Sequence, residues 1–315
     1  MSALAERGEI EITVPASVAN LGPGFDVLAV AVQLYLRLKV RQAAGENKLA
    51  FHFVGQQLVG ENYIERAFNF LARQQITDFP SLEIKVHCDI PIRSGLGSSA
   101  AATVAGLRLY EAIMEPMQPR DLLNAAVALE GHPDNVSAAL LGGLTASCQL
   151  PDGSTSAVPM SWPAALHLIV ATPEINLSTS AARSVLPEKV SRHDAVFNLQ
   201  RIAHLLHALQ SEDYSLLHEA LSDRLHQPHR QRLIPGLEQA LLLDHPDLLG
   251  VCLSGAGPSV VGFAVKSFAE IERLFSAIYE RLEIAYCVRT LAVHRNHELV
   301  DLEVPPNAPN PSVLA

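Results

Sequence analysis

The segment Pro91-Ile-Arg-Ser-Gly-Leu-Gly-Ser-Ser-Ala-Ala-Ala constrains this chain more than any other stretch of it. It follows an alternating strand, Leu82-Glu-Ile-Lys-Val-His-Cys-Asp-Ile, and opens an Ala-rich helix that stops at Pro116. Gly95 and Gly97 let the backbone take positive φ and come close to a ligand. The helix start behind them offers unpaired N–H groups and a partial positive charge, which together make an anion site. Ser98 and Ser99 add hydroxyls that can cap the helix, touch phosphate or bind a metal. A plain glycine turn with a serine N-cap explains the same residues without a ligand, and the loop alone does not choose.

Two known phosphate loops can be tested directly. No Gly-Lys-Ser/Thr occurs in the chain, which excludes a Walker A loop. Gly95-Leu-Gly97-Ser-Ser-Ala100 matches the dinucleotide pattern G-x-G-x-x-A. The βαβ unit that should follow, with an acidic residue about 20 residues on, is missing. Lys plus Arg number 23 and Asp plus Glu 33, so the formal net charge is −10. That balance argues against a nucleic-acid binder, which needs many cationic contacts to phosphates. It leaves open a small anionic ligand, which needs only a local site.

The 315 residues correspond to roughly two domains at ~150 each. In the first half, Leu34, Leu36, Leu38 and Val40 alternate with Tyr35, Arg37, Lys39 and Arg41, and KLAFHFV (48–54) repeats that period of two. NYIERAFNFLARQQ (62–75), PRDLLNAAVALE (119–130) and NVSAALLGG (135–143) read as helices. The Pro/Ser/Gly-rich stretch from Pro151 to Pro163 marks a boundary, giving an N-terminal domain over 1–160, a C-terminal domain over 161–304 and a flexible tail over 305–315. In the second half, ALHLIVA (165–171) is a buried-type strand. RHDAVFNLQRIAHLLHALQ (192–210) and EDYSLLHEALSDRLH (212–226) predict two amphipathic helices. LLGVCLSGAGPSVVGFAV (248–265) predicts strand, tight turn, strand. FAEIERLFSAIYERLE (268–283) predicts a helix, followed by strands at YCVRTLAV (286–293) and HELVDLEV (297–304). Strands cluster ahead of helices in each half, which favours α+β over a doubly wound parallel sheet.

Cys88, Cys148, Cys252 and Cys287 are scattered with no C-x-x-C pair, so they form neither a disulfide framework nor a zinc knuckle. Glu6 and Arg7 stand where a signal peptide needs an apolar core. The longest uncharged stretch, Gly153 to Pro173, contains Pro159, Pro163 and His167, unlike a spanning helix of ~20 mostly apolar residues. A soluble, cytoplasmic chain is expected, with no membrane partner.

Two further glycine turns lie far from the first in sequence: Asn20-Leu-Gly-Pro-Gly-Phe-Asp26 and Ser254-Gly-Ala-Gly-Pro-Ser259. Three such turns in one chain suggest one crowded ligand site. Together, Pro15-Ala-Ser-Val-Ala-Asn20 with its turn, the Pro91–Ala102 loop and Leu253–Ser259 resemble, in order and separation, the three motifs of the GHMP kinases. The resemblance covers nearly the whole chain. Within that family Glu130-Gly-His132-Pro-Asp134-Asn135, Ser178-Thr179-Ser-Ala-Ala-Arg183, Ser222–Arg230 and Leu233-Ile-Pro235-Gly resemble the branch that phosphorylates homoserine.

The resemblance implies an α+β two-domain GHMP kinase fold: an N-terminal domain of the ribosomal protein S5 domain 2 type and a ferredoxin-like C-terminal domain, with the site in the cleft between them. It implies ATP and Mg²⁺, and L-homoserine as the small-molecule substrate, giving O-phospho-L-homoserine on the way to threonine. ATP phosphates would be wrapped by Pro91, Arg93, Ser94, Gly95, Leu96, Gly97, Ser98, Ser99, Ala100 and Ala101, and Asn62 would contact adenine. Ser99 or Ser98 would hold Mg²⁺ with Glu130, although some relatives carry a longer insertion between the counterparts of Glu130 and His132. Asn20 and Asp26 would take the substrate ammonium, Arg183 and Arg230 its carboxylate. His132, Asn135 and Thr179 would line the pocket around its hydroxyl, where Asp134 or Asn135 acts; we expect that no strong base is needed and that Asn135 orients the hydroxyl. Relatives are often dimers, so a homodimer is among the expected states.

The residue types suit those roles independently. Carboxylate and hydroxyl oxygens are what Mg²⁺ prefers, and two arginines grip a carboxylate by forked hydrogen bonds. Each residue also has a plainer reading. Asn20 and Asp26 are common turn residues, lone arginines are mostly on surfaces, and Glu130 could be a solvated charge, although a helix C-terminus disfavours an anion there. His204, His207, His226 and His229 lack the partners of a zinc site. The competing functions are another GHMP-type acceptor such as mevalonate, a Rossmann NAD-dependent oxidoreductase, and a nucleotide binder without catalysis.

Overall fold

The computed structural model describes residues 8–295 apart from 47, 56–59, 76–77 and 115. The strand expected over 297–304 and the tail lie outside the described residues. The first sheet contains β1 (Glu9–Ala19), β2 (Leu28–Glu46), β3 (Leu49–Val54), β4 (Pro80–Cys88), β5 (Leu144–Gln149) and β6 (Thr155–Met160). Its order is β3-β4-β2-β5-β6, with β1 paired to β2. Only β3 and β4 run parallel, joined by helix α1 (Tyr63–Gln75). The alternation in β2 explains the layer: Leu34, Leu36, Leu38 and Val40 are buried, while Arg37 reaches Asp89 on the outer face. Helices α2 (Ser98–Ile113), α3 (Pro119–Glu130) and α4 (Asp134–Leu141) follow β4 without an intervening strand. That is why the glycine pattern is not a Rossmann unit.

The second sheet has β7 (His167–Pro173), β8 (Gly250–Leu253), β9 (Val260–Ala264) and β10 (Tyr286–Leu291) in the order β10-β7-β9-β8. All its pairings are antiparallel. This is the ferredoxin-like order, with the expected helix at Phe268–Arg281 before the last strand. Both faces of β7 are buried, as its unbroken apolar run requires. Leu168 and Val170 join the core that fills the first domain. Ile169 and Ala171 join a second cluster with Ile271, Phe275 and Tyr279. One hydrophobic core therefore continues across both halves, and the cleft between them has a packed floor.

One sequence expectation changes. The Pro151–Pro163 stretch carries β6, which among the described residues is an edge strand paired with β5 alone, where Pro159 sits opposite Thr145 in the register. A proline is tolerated on an edge because its missing N–H can face outward. The helix expected over 212–226 is instead a 3₁₀ turn at Tyr214–Leu216 and a single turn at Leu217–Ala220. The cause is Asp223, whose carboxylate accepts the N–H groups of Leu225, His226 and Gln227 and so withdraws them from any continuing helix.

The four cysteines are free thiols. Burial pushes the Cys252 thiol up to about 12, whereas Cys148 and Cys287 are exposed. Mild alkylation followed by mass spectrometry is expected to label Cys148 and Cys287 in the native protein and Cys252 only after unfolding. Native labelling of Cys252 would contradict the packing described.

Candidate active site

The phosphate loop is built by turning its carbonyls away from the cleft. Those of Ser94, Gly95 and Leu96 accept hydrogen bonds from Ser259 N (3.0 Å), Ser254 Oγ (2.7 Å) and Ser17 N (3.1 Å). Among the described residues, no acceptor meets the N–H groups from Ser94 to Ala100. The loop thus presents N–H groups at the start of a 16-residue helix, which is an anion cradle. Gly95 (φ +81) needs its hydrogen: a Cβ there would press into Ser254 O and lie 2.9 Å from Gly257 O. The first and third glycine turns also meet, since Gly255 N donates to Ala19 O and Asn20 Nδ2 to Gly255 O.

These turns border a cavity of about 540 Å³, within the roughly 300–1,000 Å³ of small-ligand sites. Of the residues singled out from sequence, Asn20, Asp26, Asn62, Arg93, Ser94, Gly95, Gly97, Ser98, Ser99, His132, Asp134, Asn135, Thr179, Arg183 and Arg230 line it. Pro91, Leu96, Ala100, Ala101 and Glu130 do not. Leu96, Ala100 and Ala101 are buried and support the loop from beneath. Pro91 O accepts from Ser94 Oγ. Arg93 leaves the loop to donate to Asn176 Oδ1 at 2.9 Å.

Glu130 stands behind the wall, not alone at its helix end. Its two oxygens accept from Ser99 Oγ and Thr103 Oγ1, both at 2.8 Å. Thr103 was missed from sequence, although it lies four residues after Ser99 on one helix face. Among the described residues, no group of three or more His, Cys, Asp or Glu is placed to hold a metal ion by itself. A hydroxyl and a carboxylate beside an anion cradle nonetheless fit a cation that takes most of its ligands from phosphate and water.

At the other end, Asp26 and Arg183 hold each other by a fork: Nη2 to Oδ1 at 2.7 Å and Nη1 to Oδ2 at 3.0 Å. The Asp26 hydrogen bond pushes the Arg183 guanidinium further towards its charged form. Arg230, only 2% exposed, donates Nε to Ala182 O (3.1 Å) and Nη1 to Gly255 O (2.8 Å). Burial, aided by the charge of Arg183, lowers its pKa to about 10, so it stays cationic at neutral pH. Phe25, also missed, carries both guanidinium groups on its ring, at 5.5 and 5.4 Å from the centroid.

Several predicted ligand groups have local duties as well. Asn20 Oδ1 accepts from Asp26 N while its Nδ2 is spent on Gly255, so both ends close the turns. Asn135 Oδ1 accepts from Ser17 Oγ at 2.8 Å. Asp134 Oδ1 accepts from His132 Nδ1 (2.9 Å), Asn135 N (2.7 Å) and Asn135 Nδ2 (3.4 Å). Burial alone would lower the His132 pKa, but the Asp134 hydrogen bond and charge raise it. Asn62 Oδ1 caps helix α1 through the N–H groups of Ile64 and Glu65. Beside it the cavity turns apolar, walled by Leu36, Phe53, Tyr63, Ile64, Val86 and Cys88.

Comparison with known proteins gives the family. Residues 62–143 fit the description "GHMP kinases N terminal domain" and residues 205–284 "GHMP kinases C terminal". A homoserine kinase of Solibacter usitatus is 39% identical over 281 residues, covering 87% of this chain and 91% of that protein. One from Moorella thermoacetica is 37% identical over 89% of this chain and 96% of its own. The crystal structure of homoserine kinase from Cytophaga hutchinsonii superposes with a TM-score of 0.81 at 27% identity, covering 92% of this chain and 96% of that one. A mevalonate kinase from L. major shares the fold at TM-score 0.70 with 16% identity. With both family domains in place and this identity running over most of its length, the chain belongs to the homoserine kinase branch of the GHMP kinases.

Proposed function

We propose that the cleft transfers the γ-phosphate of ATP to the hydroxyl of L-homoserine, and that its two ends divide the work. The observation that carries this reading is the pairing of Asp26 with Arg183 beside Arg230 at one end, with an N–H cradle at the other. A zwitterion can enter that pair without stranding a charge: its ammonium takes Asp26 as its carboxylate takes the freed guanidinium. Mevalonate has no ammonium for Asp26, so splitting the pair would leave a carboxylate uncompensated, which is costly.

ATP would lay its base against Leu36, Phe53, Val86 and Cys88, with Asn62 Nδ2 donating to it, and its phosphates on the loop. Backbone N–H groups and a helix start neutralise phosphate charge without any basic surface, consistent with the net charge of −10. Ser99 and Glu130 would hold Mg²⁺, which supplies charge neutralisation at the phosphates. Positioning and electrostatics dominate phosphoryl transfer. His132, Asp134, Asn135 and Thr179 place the acceptor hydroxyl, and Ser17 holds Asn135 in turn. Asp134 accepts three hydrogen bonds at Oδ1, and we read it as holding His132 and Asn135 in place with no strong base required. Asp134→Asn is therefore expected to lower kcat by less than about 10²-fold, the low end of general-base contributions; a larger loss with substrate binding intact assigns the proton to Asp134. We place the enzyme in the cytoplasm, since four free thiols suit a reducing compartment, and among the described residues no helix is long and apolar enough to cross a membrane. Coupled ADP release with Mg·ATP against homoserine, mevalonate, galactose and serine tests the reading. Turnover is expected on homoserine; silence there with turnover of another alcohol overturns the substrate and keeps the fold.

A further inference from the structure

Behind Arg230 lies a buried polar chain that the reaction above does not use. Asp223, His226 and Gln227 are each at most 9% exposed. Asp223 Oδ1 accepts from Asn198 Nδ2 at 2.7 Å, and the same Nδ2 reaches Pro23 O. Gln227 Oε1 accepts from Leu253 N at 2.7 Å. The chain thus ties the first glycine turn, the 192–211 helix and the third glycine turn to the segment that carries Arg230.

His226 is the link between the two turns. Its Nε2 lies 2.8 Å from Gly22 O, and its Nδ1 lies 3.2 Å from Arg230 Nη1. A carbonyl only accepts and a guanidinium only donates. Nε2 must therefore carry the proton and Nδ1 must be bare, so the geometry fixes one neutral tautomer. The ring also stacks on Phe25 at 5.3 Å between centroids.

We infer that His226 is a positioning residue for the substrate carboxylate: as the neutral Nε2–H tautomer it fixes the Arg230 guanidinium, and protonation at Nδ1 releases it. The inference rests on the proposed role of Arg230. The charged groups facing His226 are Asp223, whose Oδ2 is 3.5 Å from Nε2, Arg230, and Asp26 across the cleft. Full burial keeps the imidazole below its ordinary value of 6.5, against the pull of Asp223 and with the push of Arg230. A second proton would have no acceptor at Nδ1 and would set two cations face to face. The sign follows: a folded pKa held below 6.5 keeps the imidazole neutral and the arrangement intact at pH 6.5 and above, and protonation comes only as pH falls through that lower value.

Two substitutions separate the two ring nitrogens. His226→Gln can keep a donor towards Gly22 but offers no acceptor in the Nδ1 position, whereas His226→Asn can keep an acceptor for Arg230. Steady-state kinetics of the whole enzyme with Mg·ATP and L-homoserine at pH 7 give the readout. His226→Gln is expected to raise the KM for homoserine about tenfold, the worth of a hydrogen bond to a charged group, with the KM for ATP and kcat little changed. His226→Asn should recover most of that loss. In the unsubstituted enzyme, nitrogen NMR of labelled histidine at pH 7 should show the His226 ring as the neutral Nε2–H tautomer. A protonated or Nδ1–H ring at that pH in the unsubstituted enzyme, or an unchanged homoserine KM in His226→Gln, overturns the inference. The tautomer decides even if His226→Gln fails to fold. Absence of any turnover with homoserine would instead overturn the proposed function.

Discussion

Gly95→Ala is expected to abolish most phosphoryl transfer while leaving the two domains folded. The new methyl group would meet the backbone oxygens of Ser254 and Gly257, and neither can retreat as a side chain does. Ser254 Oγ is itself bonded to Gly95 O, and Ser254 N to Ser259 O, so the third glycine turn cannot shift without dragging the phosphate loop with it. Alanine at φ +81 adds a strain of order 1 kcal/mol. The loop must then move by something like an ångström, and displacement on that scale can cost about 10²-fold in rate. Steady-state kinetics should show kcat/KM for ATP falling by at least that factor, with circular dichroism unchanged. Normal kinetics for this variant would mean that the loop does not hold phosphate in the observed conformation.

The second large effect is expected at Asp26. Asp26→Asn keeps the shape of the turn but removes the charge that both Arg183 and the incoming ammonium use. Arg183 and Arg230 would then face each other over Phe25 without the carboxylate bonded to Arg183, leaving only the fields of Asp134 and Asp223. Arg230 already feels Arg183 strongly enough for that charge to help lower its pKa. Truncating one member of a hydrogen-bonded charge pair costs about 2–5 kcal/mol when it is buried. Asp26 and Arg183 are 32% and 38% exposed at their side chains, so the lower part of that range applies. The KM for homoserine should rise about 10²-fold, with the KM for ATP close to normal. An equal rise in both would place Asp26 in the fold of the cleft and not in acceptor recognition.

What was legible in the sequence is what short range decides. The β2 alternation, the glycine loop opening an Ala-rich helix and the helix read over 62–75 all declare themselves within about a dozen residues, and all are found. The site was harder wherever a residue's partner lies far along the chain. Sequence reading assigned Asp26 and Arg183 separate substrate charges; the structure shows that they hold each other across 157 positions. Ser17 lies inside a motif quoted for its glycines and asparagine, yet its bond to Asn135 spans 118 positions. The apolar end of the cavity comes from Leu36, Phe53, Val86 and Cys88 on three strands, and alternation alone says which face they occupy, not what covers them. Residues 221–226 misled because Asp223 breaks a pattern that is otherwise amphipathic, and the same break positions His226.

As proposed above, the acceptor site is an ion pair opened by a zwitterion. Comparing kcat/KM for L-homoserine with 4-hydroxybutyrate, which lacks the ammonium, and 3-aminopropan-1-ol, which lacks the carboxylate, tests it most directly. Each analogue keeps the reacting hydroxyl and loses one charge, so each should fall by about 10²-fold or more. If either analogue is phosphorylated as efficiently as homoserine, Asp26 and Arg183 do not exchange partners on binding, and the account of the site is wrong.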